Sequence, residues 1–122
     1  MKNSTLFIMV FLATVSTGFA QKATSDQQAL ALTEKMQTQI KFNDDTKAKV
    51  YAINLDFIVK TQQLRDSDAG KAQKFKSLKS YDDKRATELK KVLTPSEYKL
   101  FETFREENRE EMKQRYKDRK NE

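Results

Sequence analysis

The sequence contains no cysteine, no histidine and no tryptophan, and only one proline and two glycines in 122 residues. Each absence closes a class of function. Without cysteine there is no disulfide framework, no thiolate nucleophile and no soft metal ligand. Lipid attachment through an N-terminal cysteine is closed as well. Without histidine the commonest general base and metal ligand is missing, and no serine has an imidazole to activate it. Two glycines cannot build a phosphate-binding loop. Carboxylates do occur in pairs, at Asp44-Asp45, Asp82-Asp83, Glu106-Glu107 and Glu110-Glu111. Neighbours on a helix point about 100° apart, so these pairs do not converge on one reacting atom. The expectation is a protein without enzymatic activity, cofactor or metal site.

What is present points to helices. Lys, Glu, Gln and Ala are abundant, and charged residues make up 34% of the chain. Scarce Pro and Gly with many good helix formers favour an all-α fold. The net charge of +6 comes from Lys and Arg interleaved with Asp and Glu rather than from a basic arm. Nucleic acid is therefore not an expected partner; anionic lipid, lipopolysaccharide or acidic segments of unfolded proteins are better matches.

The first twenty residues have the layout of a secretory signal. Lys2 supplies the positive start, residues 6–15 the apolar run, and Gly18-Phe19-Ala20 a small-x-small cleavage site. An apolar run of this length falls short of the roughly twenty residues that span a bilayer. Cleavage before Gln21 would leave 21–122 as a single helical domain, with no later membrane-spanning segment. Its apolar content is low, so about four long, half-exposed helices are expected. They would form a small elongated bundle or hairpin that dimerises.

Four helical patterns follow in order. Ser25 can cap the first, with Gln28 in the capping-box position, and Ala29, Leu32 or Thr33, Met36 and Ile40 make one apolar stripe to about Lys41. Asn43 can cap the second, with Asp44 and Asp45 on the positive end of its dipole. This helix carries Val50, Ile53, Phe57 and Leu64 on one row and Tyr51, Leu55 and Ile58 on the next. It is the expected core helix, ending near Asp66. The third starts near Lys71, and Phe75, Leu78, Leu89 and Val92 form its stripe, flanked by Tyr81 and Ala86. Asp82 and Arg85 interrupt that stripe and can pair. The pair reads either as a partly exposed ion pair or as a buried one that sets register or faces a partner.

The fourth helix has the strongest start. Thr94 is a good cap, Pro95 suits the first helical position, and Glu97 completes a capping box. Leu93 and Tyr98 stand at the positions of a hydrophobic staple. Tyr98, Leu100, Phe101 and Phe104 should pack near this start. Residues 105–122 read as a charged helical extension supported by Glu106–Arg109, Glu110–Lys113 and Glu111–Arg115 pairs, with Met112 and Tyr116 its only apolar residues. It either projects beyond the core, lies along a partner, or forms a solvated, partly disordered tail.

The two best helix starts resemble each other. Phe42-Asn43-Asp44-Asp45-Thr46 and Leu93-Thr94-Pro95-Ser96-Glu97 share an apolar residue, a capping residue, two first-turn residues and a polar third helical residue. The pattern resembles the Leu-Thr-x-x-Gln motif that occurs twice in the Spy/CpxP family of periplasmic proteins. The segment from Leu89 to Tyr98 carries the likeness best. The first motif has Phe42, Asn43 and Thr46 where the family has Leu, Thr and Gln, and the second has Glu97 for Gln. The resemblance implies an all-α periplasmic protein that forms an antiparallel homodimer. It implies either an ATP-independent chaperone for unfolded envelope proteins or a regulator of a membrane sensor kinase. Zinc binding in that family relies on histidines, which are absent here. The alternative is a helical interaction module without such a role. Candidate client or partner contacts lie on the fourth helix: Phe101, Phe104, Arg105, Arg109, Met112 and Tyr116. Phe101 and Phe104 can equally be ordinary core.

Overall fold

A computed structural model describes residues 23–121. The expected secretory signal lies outside the described residues. Among the described residues the fold is all-α, with four helices: α1 Ser25–Ile40, α2 Asp44–Arg65, α3 Lys71–Val92 and α4 Pro95–Lys120. They form a small bundle. α2 packs on α1 and on α3, and α4 packs chiefly on α1 and only lightly on α3. No helix among the described residues is long and apolar enough to cross a membrane.

Caps set the helix starts. Asn43 accepts from the Thr46 N–H at 2.8 Å. At α4 the capping box is complete: Thr94 Oγ1 accepts from the Glu97 N–H at 3.2 Å, and Glu97 Oε1 accepts from the Thr94 N–H at 2.9 Å. Leu93 is buried and Tyr98 packs partly buried against the core, so both apolar staple residues are seated. α1 differs by one residue from the expected start. Thr24, not Ser25, is its cap, and Gln27 completes the box. Ser25 instead donates its hydroxyl to Gln62 Oε1 of α2 at 2.6 Å, a tertiary bond that local pattern cannot reveal. Lys41 closes α1 in the left-handed region at φ 63°. That turn drives Phe42 into the core while the Gln37 amide holds the Phe42 carbonyl at 3.1 Å.

The core is concentrated where α1, the first half of α2, the last half of α3 and the start of α4 meet. Met36, Ile40, Phe42, Val50, Leu89, Leu93, Phe101 and Phe104 fill it. The expected stripe of α1 is present, with Thr33 buried and Leu32 partly so. α2 is less apolar at its centre than expected of a core helix. Its only buried residues are Val50 and Asn54, because it sits between two neighbours and spreads its apolar rows across two half-exposed seams. Asn54 donates to Thr33 Oγ1 at 2.9 Å, the Thr33 hydroxyl donates to the Ala29 carbonyl at 2.7 Å, and Asn54 Oδ1 is left without a partner. Two other expectations are corrected. Leu100 and Phe75 are exposed rather than packed. Phe75 lies beyond the core cluster, beside Thr61, Leu64 and Arg65 at the end of α2.

The capping geometry gives a direct stability test. Thr94→Ala should cost about 1 kcal/mol in urea denaturation, because it orphans the Glu97 N–H at the α4 start. An unchanged midpoint would remove the structural role assigned to this motif.

Candidate functional site

The α3–α4 hairpin brings four charged side chains together around one carboxylate. Asp82 Oδ1 accepts from Arg85 of its own helix at 2.9 Å. Asp82 Oδ2 accepts from Arg105 Nε of α4 at 2.9 Å and from Arg109 at 3.5 Å. A second Arg105 nitrogen also reaches Asp83 at 3.1 Å. Asp82 and Arg105 lie equally far from the Leu93–Thr94 turn, which is why an antiparallel hairpin brings them together. Of the alternatives open for Asp82 and Arg85, the packed one is seen: their side chains keep only 20% and 10% of their surface exposed.

Arg85 lies deepest. Its guanidinium carbon stands 4.4 Å from the centre of the Phe57 ring and 5.7 Å from that of Phe101. Ring faces attract a cation, so α2, α3 and α4 meet on this one charge. Burial pushes the Arg85 guanidinium below its ordinary pKa, and Asp82 opposes that shift. Arginine nonetheless keeps its charge in proteins. Burial also pushes the Asp82 carboxyl up, but its hydrogen bond to Arg105 and the Arg85 and Arg105 charges outweigh this and hold it below the ordinary carboxylate value. Arg105 is desolvated too, yet Asp82 and Asp83 raise it. The cluster therefore holds fixed charges and offers no group poised to exchange a proton near neutral pH.

The candidate contact residues divide by this cluster. Phe101 and Phe104 are fully packed core side chains, with Lys35 of α1 lying 5.7 Å over the Phe104 ring. They take the core alternative and present no surface to a client. Arg105 is committed to Asp82 and Asp83. Arg109 is exposed but turned to Asp82, so the expected Glu106–Arg109 pair gives way to a contact between helices. Beyond it every described residue of α4 is exposed, and the Glu110–Lys113 and Glu111–Arg115 pairs form at 3.5 and 3.9 Å. Met112 and Tyr116 keep 66% and 68% of their surface exposed there. Phe75, placed in the core by its sequence pattern, is as exposed at 71%. Among the described residues no group of His, Cys, Asp and Glu could hold a metal ion. No family model, curated protein or solved structure matches this chain.

Removing Asp82 should unsettle the hairpin. Asp82→Asn leaves Arg85 buried and its charge unmatched, which should cost about 3 kcal/mol. The pH dependence has a defined sign. A carboxylate whose pKa is lowered by folding adds stability that is fully present above its unfolded value of about 3.9 and is lost as pH falls through the folded value. Urea midpoints measured as a function of pH should fall in that acid window for the wild type, and Asp82→Asn should flatten that part of the curve. Equal midpoints for both proteins above pH 5 would contradict the assignment.

Proposed function

We propose that this chain is a secreted, periplasmic binding protein of the chaperone-like, envelope-stress type, acting without ATP and without catalysis. The observation that carries the proposal is the distal half of α4. There two large apolar side chains, Met112 and Tyr116, stand exposed where Lys113, Arg115, Lys117, Arg119 and Lys120 outnumber Glu110, Glu111 and Asp118. Such a surface suits loose, reversible contact with apolar stretches of unfolded chains. The cations speed encounter with acidic clients, and the shallow apolar contact holds them weakly. The likeness to the Spy/CpxP family supports the same reading, since both motif-like helix starts are well-capped N-termini that orient long helices.

A homodimer belongs to the proposal. Its signature is a melting temperature that rises with protein concentration, and concentration-independent melting would remove the dimer from the account.

The chaperone reading is tested by light scattering from two unrelated denatured enzymes diluted into buffer. Equimolar protein should suppress scattering from both without nucleotide. No suppression at a several-fold molar excess would reject the reading. Met112→Ser with Tyr116→Ser should weaken suppression while leaving the melting temperature unchanged, because neither side chain is packed.

A further inference from the structure

Two hollows lie between α2 and α3, and their charges differ. The larger, about 350 Å³, is lined by Lys60 and Lys84 but also by Asp56 and Glu88. Lys60 already pairs with Asp56 at 3.1 Å, so this hollow meets its own charge. The smaller, about 260 Å³, is lined by Thr61, Leu64, Arg65, Lys74, Phe75 and Leu78. It has an apolar floor, two cations on its rim and no carboxylate. Lys74 Nζ donates to the Arg65 carbonyl at 2.9 Å, which fixes one rim charge at the end of α2.

Helical periodicity relates this groove to the Asp82 cluster and to the exposed apolar residues of α4. Seven residues along a helix return to nearly the same face, about 10.5 Å further on. One such step from Asp82 toward the start of α3 reaches Phe75. The same step along α4 takes Arg105 to Met112 and Arg109 to Tyr116. Phe75 and Met112, like Asp82 and Arg105, are equally far from the Leu93–Thr94 turn. Phe75 thus falls on nearly the face of α3 that carries Asp82, and Met112 and Tyr116 on the faces of α4 that carry Arg105 and Arg109; all three are exposed. Contact between α3 and α4 is slight, so the seam is not closed over them.

We infer that this open end of the bundle is a docking groove for a short apolar segment carrying acidic residues. Leu64, Phe75 and Leu78 take its apolar side chains, and Arg65 and Lys74 take its carboxylates. The inference rests on the binding role proposed above and adds its location and the chemistry of the client. Charge selects the occupant: a rim with two cations and no anion favours an acidic segment over a basic one.

The test is fluorescence anisotropy with a short fluorescein-labelled peptide alternating leucine and aspartate, and a control carrying lysine for aspartate. The purified protein should bind the aspartate peptide and discriminate against the lysine peptide. Phe75→Ser should raise the aspartate-peptide Kd about tenfold with an unchanged melting curve, since this exposed side chain is the groove's largest apolar contact. Lys74→Glu should weaken the aspartate peptide and strengthen the lysine one. Equal binding of the two peptides, or wild-type affinity in Phe75→Ser, overturns the proposal. So does sedimentation showing a dimer that Phe75→Ser dissociates, because a second copy would then fill the groove. The two readings fail separately. If Phe75→Ser binds the aspartate peptide as the wild type does while the wild type still suppresses aggregation, the groove falls and the chaperone role stands. Peptide binding that needs Phe75, without any suppression of aggregation, leaves the groove standing and rejects the broader role.

Discussion

One carboxylate meeting three guanidinium groups organises this bundle. Asp82 binds Arg85 beneath it and Arg105 and Arg109 across the hairpin. Arg85 could not be packed between Phe57 and Phe101 without a counter-ion, because desolvating a lone cation costs several kcal/mol. Asp82 in turn would lose water with no return if the arginines were absent. The interaction therefore gives less net stability than register. It holds α3 and α4 at one alignment and brings three helices onto one charge. It also marks the limit of the packed apolar core, beyond which Met112 and Tyr116 of α4 are exposed.

That division connects structure to function. Toward the turn, Leu93, Phe101 and Phe104 are core, and the capping box at Thr94 and Glu97 fixes how α4 leaves α3. Away from the turn, α4 carries charges of both signs and two uncovered apolar residues. A chain with few apolar residues cannot close a long bundle, so part of its helical surface stays open. Here the open part includes Phe75 beside the cationic groove rim, and Met112 and Tyr116 on distal α4. The proposed binding of flexible acidic chains would draw on those properties and calls for no catalytic group.

Much of the fold was legible in the sequence, because helix starts are written locally. Asn43, Thr94, Pro95 and Glu97 act within one turn, and their structural roles follow from their own chemistry. The start of α1 falls one residue before the expected cap: Thr24, like Ser25, has a glutamine three residues on, and Ser25 bonds Gln62 instead. Burial was less legible, since it depends on neighbours. Phe75 fits a core stripe by period, yet the core does not extend to its level. Asn54 breaks an apolar row and still becomes one of the most buried residues of α2, held by Thr33 from α1. The candidate site was half readable. Met112 and Tyr116 stood out for want of apolar neighbours, and Asp82 and Arg85 for interrupting a stripe. Their connection through Arg105 needed the hairpin alignment. Equal distances of Asp82 and Arg105 from the Leu93–Thr94 turn were the available signal.

The central claim is that α4 has a pinned half and an unpinned half, divided at the Asp82 cluster. Amide hydrogen exchange along α4 in dilute protein measures this directly. Amides from the helix start through Arg105 should show protection close to that of the core, with an abrupt fall beyond Arg109. Asp82→Asn should move the fall back toward Phe101. Uniform protection through Lys120, or a boundary that Asp82→Asn leaves in place, would contradict the account.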